Sequence, residues 1–219
     1  MSHIRGTVAA VILAAGEGRR FGTGALTPPD ERGSSPDSGA VAPLALKPLA
    51  LFRGRPLVVH VLEAAVASGL GPVVLVVGNR SAEVAAVAPV GIEIVHNDAW
   101  RDGIATSLHA ALMHLASRGV VHGAVVGLAD QPLIGAEAWM RLGAAYDSGT
   151  ELAVATYEGV RANPVLVGRT LWPEALTLVG DAGARQLFSR HEVIDIECGD
   201  TGRCVDVDTP EELAAIQGM

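Results

Sequence analysis

Short apolar runs alternate with helical patterns along this chain, and that alternation restricts the fold more than any other feature. The runs are rich in valine and isoleucine, which is typical of buried strands in a parallel sheet. Seven strands are predicted, near Thr7–Leu13, Pro72–Val77, Ile92–His96, Ala124–Leu128, Leu152–Thr156, Pro164–Val167 and Val193–Glu197. Repeated strand–helix–strand units predict a three-layer α/β/α sandwich around a mainly parallel, Rossmann-like sheet.

Two segments between these strands repeat apolar residues with a helical period. The first set is Leu57, Val58, Val61, Leu62, Ala65 and Val66, and the second is Ile104, Leu108, Ala111, Leu112 and Leu115. We expect both sets to pack in the core rather than to bind a ligand.

The length and net charge of the chain limit the classes of protein to which it can belong. The 219 residues are 49% hydrophobic, which predicts one domain over 1–219. A formal net charge of -8 excludes a broad basic surface for nucleic acid, so small anions must be bound by a few placed groups. The longest apolar stretch, Val8 to Ala15, is too short to cross a bilayer, and no cleavage pattern accompanies it. We therefore expect a cytoplasmic protein without a membrane partner.

Two other features stand apart from the strand and helix pattern. Residues 22–46 are crowded with Gly, Pro and Ser and have no apolar period, which predicts a flexible insertion. Such an insertion could work as a lid, but we favour a tolerated insertion without that role. Cys198 and Cys204 lack the spacing of a zinc site. Reduced, partly buried thiols are expected, and a short-loop disulfide is the alternative.

The first strand runs into a turn of small residues, LAAGEGRRFG, at positions 13–22. Small side chains let backbone amides approach a phosphate chain closely. The dinucleotide fingerprint G-x-G-x-x-G is not met, because one residue too many precedes Gly22, and no Walker loop is present. The turn therefore predicts phosphate binding by amides and a guanidinium, or else a glycine-rich turn with solvated arginines.

Asp130 follows a buried strand that ends at Leu128. Open α/β sheets bind ligands at the carboxyl ends of their strands, so a carboxylate there suits Mg²⁺ bound against phosphate oxygens. The alternative is that Asp130 caps the helix that includes Trp139 to Ala145.

The glycine-rich turn resembles the signature LAAGxGxR of the MobA-like nucleotidyltransferases, which is followed by a lysine. The matching residues are Leu13, Ala14, Ala15, Gly16, Gly18, Arg20 and Lys47, with Gly54-Arg55-Pro56-Leu57 as the continuation. The resemblance implies a nucleotide-diphospho-sugar transferase-like fold. The triplet at 14–16 is closest to the molybdenum cofactor cytidylyltransferases, since guanylyl-transferring relatives carry Ala-Gly-Gly.

Two further segments share this resemblance. Residues 97–108 are similar to N-x-x-W-x-x-G-x-x-x-S, which implies that Asn97, Gly103 and Ser107 help to hold the base; an ordinary helix start is the alternative. Residues 205–213 look like a short strand followed by a helix and are similar to VDTPEDL, which implies a second metal ligand at Asp208, with Asp206 the weaker candidate. Asp208 or Thr209 would otherwise cap the last helix.

Residues 161–167 and 180–185 resemble the family's acceptor-side segments. They imply acceptor contacts from Asn163, which replaces the commoner histidine, and from Asp181 and Arg185. The alternative for Asp181 is a helix cap.

The resemblance implies transfer of a nucleoside monophosphate from an NTP, with CTP favoured, to a phosphorylated acceptor such as molybdopterin. Amides of Ala15 to Gly18 would hold the β- and γ-phosphates, Arg20 and Lys47 would stabilise pyrophosphate, and Asp130 with Asp208 would hold Mg²⁺. The resemblance also implies a molybdoenzyme partner that receives the cofactor. The chain departs from the family in the long separation of Arg20 from Lys47 and in Ala129, where glycine is customary.

Three other functions fit parts of the pattern. NTP-dependent activation of a sugar phosphate or sugar acid uses the same turn and a similar ending. A non-catalytic maturation protein would bind the nucleotide or cofactor without releasing pyrophosphate. A relative that uses NAD(P)H for redox chemistry lacks a supporting fingerprint in this sequence.

Overall fold

The computed structural model describes residues 7–16, 46–181 and 183–218. In these ranges the strands are β1 (Thr7–Ala14), β2 (Leu51–Phe52), β3 (Arg55–Pro56), β4 (Val73–Val77), β5 (Glu93–His96), β6 (Val121–Leu128), β7 (Leu152–Tyr157), β8 (Val160–Gly168) and β9 (Ile194–Glu197). The α-helices are α1 (Leu57–Ala67), α2 (Ser81–Ala86), α3 (Ile104–Ala116), α4 (Ala136–Asp147), α5 (Trp172–Ala175) and α6 (Pro210–Ile216).

Seven strands form one sheet in the order β5-β4-β1-β6-β8-β7-β9. β8 pairs antiparallel with both β6 and β7, whereas the other neighbours pair parallel. All seven predicted strands are confirmed, as is the mainly parallel α/β fold. The β2–β3 hairpin was not predicted, because its strands of two residues each carry no periodic signal.

The sheet is buried on both faces, and β1 shows this within one strand. Val8, Ala10, Ile12 and Ala14 belong to a core cluster that includes α1 and α4. Ala9, Val11 and Leu13 belong to a second cluster that includes α3. Successive strand residues point to opposite faces, so helices cover the sheet on both sides and the predicted three layers are present.

Both predicted helices are confirmed, with one exception in the packing of their apolar faces. Leu57, Val58, Val61, Leu62 and Ala65 of α1 are buried, but Val66 is 50% exposed. Val66 follows Ala65 by about 100° of rotation around the helix axis, which moves it past the edge of the buried face. The prediction that Val66 faces the core is therefore wrong.

Several other predictions concern the chain as a whole. The insertion at about 22–46 lies outside the described residues except for Leu46, so it stays a prediction, as does the single domain over 1–219. Cys198 and Cys204 are free thiols, as expected, Cys198 buried and Cys204 partly buried. In the described ranges, no helix combines the length and apolar character needed to cross a membrane.

Candidate active site

A cleft of about 540 Å³ opens at the carboxyl ends of β1 and β6. This volume falls in the range of about 300–1,000 Å³ that is typical of small-molecule sites. Ten of the predicted site residues line the cleft: Leu13, Ala14, Ala15, Gly16, Lys47, Gly103, Ser107, Asp130, Asp181 and Asp208. The turn after β1 and the aspartate after β6 are therefore brought together, as their positions at neighbouring strand ends require.

Some of the predicted site residues are not found in the lining of the cleft. Asn97, Asn163 and Arg185 are not among the described residues that line the cleft. Gly18 and Arg20 lie outside the described residues, so their predicted contacts with phosphates stay predictions.

Lys47 connects the two predicted metal ligands. Its Nζ donates a hydrogen bond of 2.5 Å to Asp130 Oδ2 and one of 2.6 Å to Asp208 Oδ1. The Lys47 side chain is only 11% exposed. Asp130 and Asp208 come from separate segments of the chain, and a common contact with one nitrogen atom shows that they converge.

Burial and neighbouring charges shift the pKa values of Lys47 and Asp130. Burial lowers the pKa of Lys47, but the nearby Asp130 and Asp208 carboxylates more than offset this and raise it above the usual lysine value. Burial also raises the pKa of Asp130, an effect that Lys47 opposes and Asp206 reinforces. A protonated Lys47 therefore compensates a carboxylate that would otherwise be costly to bury.

The residues present fit a divalent cation. Asp130 Oδ1 is buried and has no hydrogen-bond partner in the described part of the chain, so one carboxylate oxygen remains for a ligand. Carboxylate oxygen is the ligand type that Mg²⁺ and Mn²⁺ prefer. Within the described residues no group of three or more His, Cys, Asp or Glu side chains could hold a metal, so two aspartates would be supplemented by water and phosphate oxygens.

Helix capping does not account for Asp130 or Asp208. The N-cap of α4 is Gly135, five positions after Asp130, so the capping alternative for Asp130 is wrong. Thr209 caps α6 in a capping box with Glu212, which resolves the open choice between Asp208 and Thr209.

The segment before α6 is not the predicted short strand, because residues 203–208 form no ladder. The Val207 amide instead donates a 3.0 Å hydrogen bond to the Asp130 carbonyl, which ties this segment to the end of β6. Asp206 accepts a 2.5 Å hydrogen bond from Gln131 Nε2. Of the two acidic candidates, Asp208 lines the cleft and Asp206 serves this internal contact.

Asn97 supports the cleft indirectly. It is only 6% exposed, and its Nδ2 donates hydrogen bonds of 2.9 Å to both Thr106 Oγ1 and Ser107 Oγ. These bonds fix the first turn of α3 to the end of β5. Asn97 therefore holds Ser107 in the wall, and its predicted contact with the base stays a prediction.

Two glycines let the walls of the cleft approach each other. Gly103 has φ of +105°, and a Cβ there would lie 2.5 Å from the Gly180 carbonyl carbon and 2.9 Å from Asp181 Oδ1. A Cβ on Gly78 would lie 2.7 Å from Trp100 Cβ. Gly103 was predicted as a site residue, whereas Gly78 was not.

Arg101 and Trp100 were not predicted as site residues from the sequence. Both line the cleft, and Arg101 Cζ lies 4.1 Å from the centroid of the Trp100 ring. Trp100 carried a signal as part of the N-x-x-W motif, whereas Arg101 falls at a position that the motif leaves open.

The predicted acceptor-side residues divide between two environments. Asp181 lies on the cleft wall and is exposed. Asn163 is buried, and its Nδ2 donates a 3.1 Å hydrogen bond to Gln131 Oε1. Asn163 thus contacts Gln131, the residue after Asp130, and does not line the described cleft.

Comparisons with known proteins agree with this geometry. The sequence profile of the MobA-like NTP transferase domain matches residues 10–194. Nicotine blue oxidoreductase of Paenarthrobacter nicotinovorans is 32% identical in an alignment of 221 positions that covers 94% of each chain.

Two solved structures share the fold. The Rv0371c homologue from Mycobacterium sp. strain JC1 is 26% identical, with a TM-score of 0.76 over 96% of this chain and 95% of that one. Rv0371c of Mycobacterium tuberculosis H37Rv, solved as a complex with manganese, is 24% identical, with a TM-score of 0.72 over 97% of this chain and 98% of that one.

The profile match includes the end of β1 that lines the cleft, Lys47 and Asp130, whereas Asp208 lies beyond it. The resemblance drawn from the glycine-rich turn is therefore confirmed at the level of the family. This chain belongs to the MobA-like NTP transferase domain family and is a nucleotidyltransferase.

Proposed function

We propose that the chain transfers CMP from CTP to a phosphorylated small-molecule acceptor, such as molybdopterin or the molybdenum cofactor, and releases pyrophosphate. The observation that carries this proposal is the meeting of Lys47, Asp130 and Asp208 in the same cleft as the turn after β1. The preference for CTP rests on the Ala-Ala-Gly triplet at 14–16.

Backbone hydrogen bonds hold residues 13–16, the described beginning of the turn after β1. The Ala129 amide donates a 3.1 Å hydrogen bond to the Leu13 carbonyl, and the Asn79 amide donates one of 3.1 Å to the Ala15 carbonyl. Residues 13–16 are therefore fixed to both neighbouring strand ends. Such preorganisation favours electrostatic stabilisation of a triphosphate, because little rearrangement is needed during the reaction.

Lys47 supplies positive charge at the point where both carboxylates converge. Transfer of a nucleoside monophosphate requires the acceptor phosphate to approach the α-phosphorus of a polyanion, so neutralisation and in-line positioning dominate catalysis. We assign stabilisation of the leaving pyrophosphate to Lys47 and, from the sequence motif, to Arg20. We assign Asp181 to the acceptor side from the motif at 180–185, and its position in the lining of the cleft supports this assignment.

Asp130 and Asp208 would hold a divalent cation, proposed to be Mg²⁺. When bound, that ion supplies Lewis-acid charge stabilisation to phosphate oxygens. The manganese complex of Rv0371c supports a divalent ion, and the unpartnered Asp130 Oδ1 supports this site for it.

The proposed partners are CTP, the phosphorylated acceptor and a molybdoenzyme that receives the finished cofactor. We place the reaction in the cytoplasm, where a reduced state of Cys198 and Cys204 is expected.

An oxidoreductase activity is the second candidate, and the 32% identity to nicotine blue oxidoreductase favours it. The sequence around residues 13–22 lacks a dinucleotide fingerprint. The paired aspartates with Lys47 suit phosphate and metal chemistry better than hydride transfer.

A pyrophosphate-release assay tests the proposal. Each NTP is supplied with Mg²⁺ and with molybdopterin, a sugar phosphate or a sugar acid, and the Asp130→Asn variant serves as the inactive control. Release that requires CTP and molybdopterin would support the proposal, and release with a sugar substrate would favour the sugar-activating alternative. Nucleotide binding without release would favour a maturation protein. Oxidation of NAD(P)H with nicotine blue, without pyrophosphate release, would favour the oxidoreductase.

A further inference from the structure

The described wall of the cleft is poor in positive charge for a site that binds phosphates. Asp130, Asp181 and Asp208 line it together with two cations, Lys47 and Arg101. Lys47 is already bonded to two of these carboxylates. A substrate with several phosphate charges therefore needs further cationic groups to offset repulsion.

Arg101 has the properties of such a group. It is exposed in the cleft, and among residues 7–16, 46–181 and 183–218 no carboxylate forms an ion pair with it. Arg169, by contrast, donates hydrogen bonds from its guanidinium group to backbone carbonyls. The hydrogen-bonding edges of Arg101 are thus available to a ligand.

Stacking holds the Arg101 guanidinium in place. The 4.1 Å separation from the Trp100 ring centroid is within the range of an attractive cation–π contact. Trp100 Cβ lies close to Gly78, since a β-carbon on Gly78 would be 2.7 Å from it. A guanidinium oriented in this way loses less freedom when it binds an oxyanion, and its planar edge suits two phosphate oxygens.

We propose that Arg101, oriented by Trp100, binds a phosphate group of a substrate in the cleft. This inference rests on the proposed function for the presence of two phosphorylated substrates. The same chemistry serves the triphosphate of the NTP and the phosphate of the acceptor, so the experiment must separate these sources.

The first measurement is calorimetric titration of Arg101→Gln with CTP plus Mg²⁺, pyrophosphate plus Mg²⁺, and cytidine. Loss of one charge-assisted phosphate contact is expected to weaken CTP and pyrophosphate binding roughly tenfold and to leave cytidine binding unchanged. Arg101→Lys should bind more tightly than Arg101→Gln, because it keeps the charge. If CTP binding is unchanged, the second measurement is the KM for molybdopterin, which is then expected to rise roughly tenfold.

Arg53→Gln is the matched control. Arg53 also stacks on an aromatic ring, at 5.0 Å from the Phe52 centroid, but it does not belong to the described cleft wall. Arg53→Gln should therefore match the wild type in every titration.

The outcomes separate this inference from the proposed function. Equal CTP affinity, pyrophosphate affinity and molybdopterin KM in Arg101→Gln and Arg53→Gln would overturn the role of Arg101, as would an equal loss of cytidine binding. Pyrophosphate binding that depends on Arg101, in a wild type that releases no pyrophosphate from any NTP, would support Arg101 and contradict the proposed transfer. A wild type that binds neither CTP nor pyrophosphate would overturn both.

Discussion

Lys47 and Asp130 are 83 positions apart in the sequence, yet Lys47 Nζ donates a 2.5 Å hydrogen bond to Asp130 Oδ2. The same nitrogen atom reaches Asp208, 161 positions from Lys47. The contact forms although an unusually long stretch separates Lys47 from the turn after β1. A long connection need not prevent this, because the entropic cost of closing a loop grows slowly with its length.

Replacing Lys47 by alanine is expected to lower turnover about 10²–10³-fold, the usual scale for loss of one charge-stabilising group. The variant also leaves Asp130 buried without its ammonium partner, so its pKa should rise further. Pyrophosphate release under saturating CTP measures the effect, with thermal melting to confirm folding. A folded variant with near-normal turnover would remove Lys47 from the mechanism.

Asp208→Asn and Asp206→Asn form a matched pair for the metal site. Asp208 contacts Lys47 in the cleft, whereas Asp206 accepts a hydrogen bond from Gln131 that an asparagine oxygen could still accept. We expect the Mg²⁺ concentration for half-maximal activity to rise at least about tenfold in Asp208→Asn, as for loss of a metal-supporting group. Asp206→Asn should shift it far less. The reverse order would assign the second ligand to Asp206.

Gly103→Ala tests whether the two walls of the cleft must touch. A Cβ at this position would meet the Gly180 backbone at 2.5 Å, and the Ala105 amide already donates a 3.0 Å hydrogen bond to the Gly180 carbonyl. Displacement of this contact should lower both the free energy of unfolding and the affinity for CTP. Chemical denaturation and calorimetry measure the two effects.

Gly149→Ala is the control for Gly103→Ala. Gly149 has a similar φ of +93°, but a Cβ there would have nothing within 4 Å. The positive φ therefore disfavours a β-carbon at both positions, but only at Gly103, where ψ is 170°, does the added carbon also meet another segment of the chain. Equal destabilisation by the two substitutions, with normal CTP binding in both, would show that the Gly103–Gly180 contact is unimportant.

The strand pattern predicted the sheet and the place of the site because both depend on local signals. Asp130 follows an apolar run, and the carboxyl end of a parallel strand is where a ligand binds. The antiparallel direction of β8 was not predictable, because a short apolar run has no direction. The stacking of Arg101 on Trp100 and the inward turn of Asn97 depend on backbone geometry around Gly78 and Gly103, which motif spacing does not encode.

The buried thiol of Cys198 is expected to make the stability of the core depend on pH. Its side chain is fully buried, and burial raises the pKa of its thiol from 9.0 to about 11, although Arg141 acts in the opposite direction. The fold thus favours the protonated thiol, so this stabilisation is present below pH 9 and is lost as pH rises towards about 11. In a Cys204→Ser background, the melting temperature should fall more steeply from pH 9 to 10.5 with Cys198 present than in Cys198→Ala. Parallel declines would show that the thiol does not titrate with unfolding, and rapid alkylation of native Cys198 at pH 8 would contradict its burial.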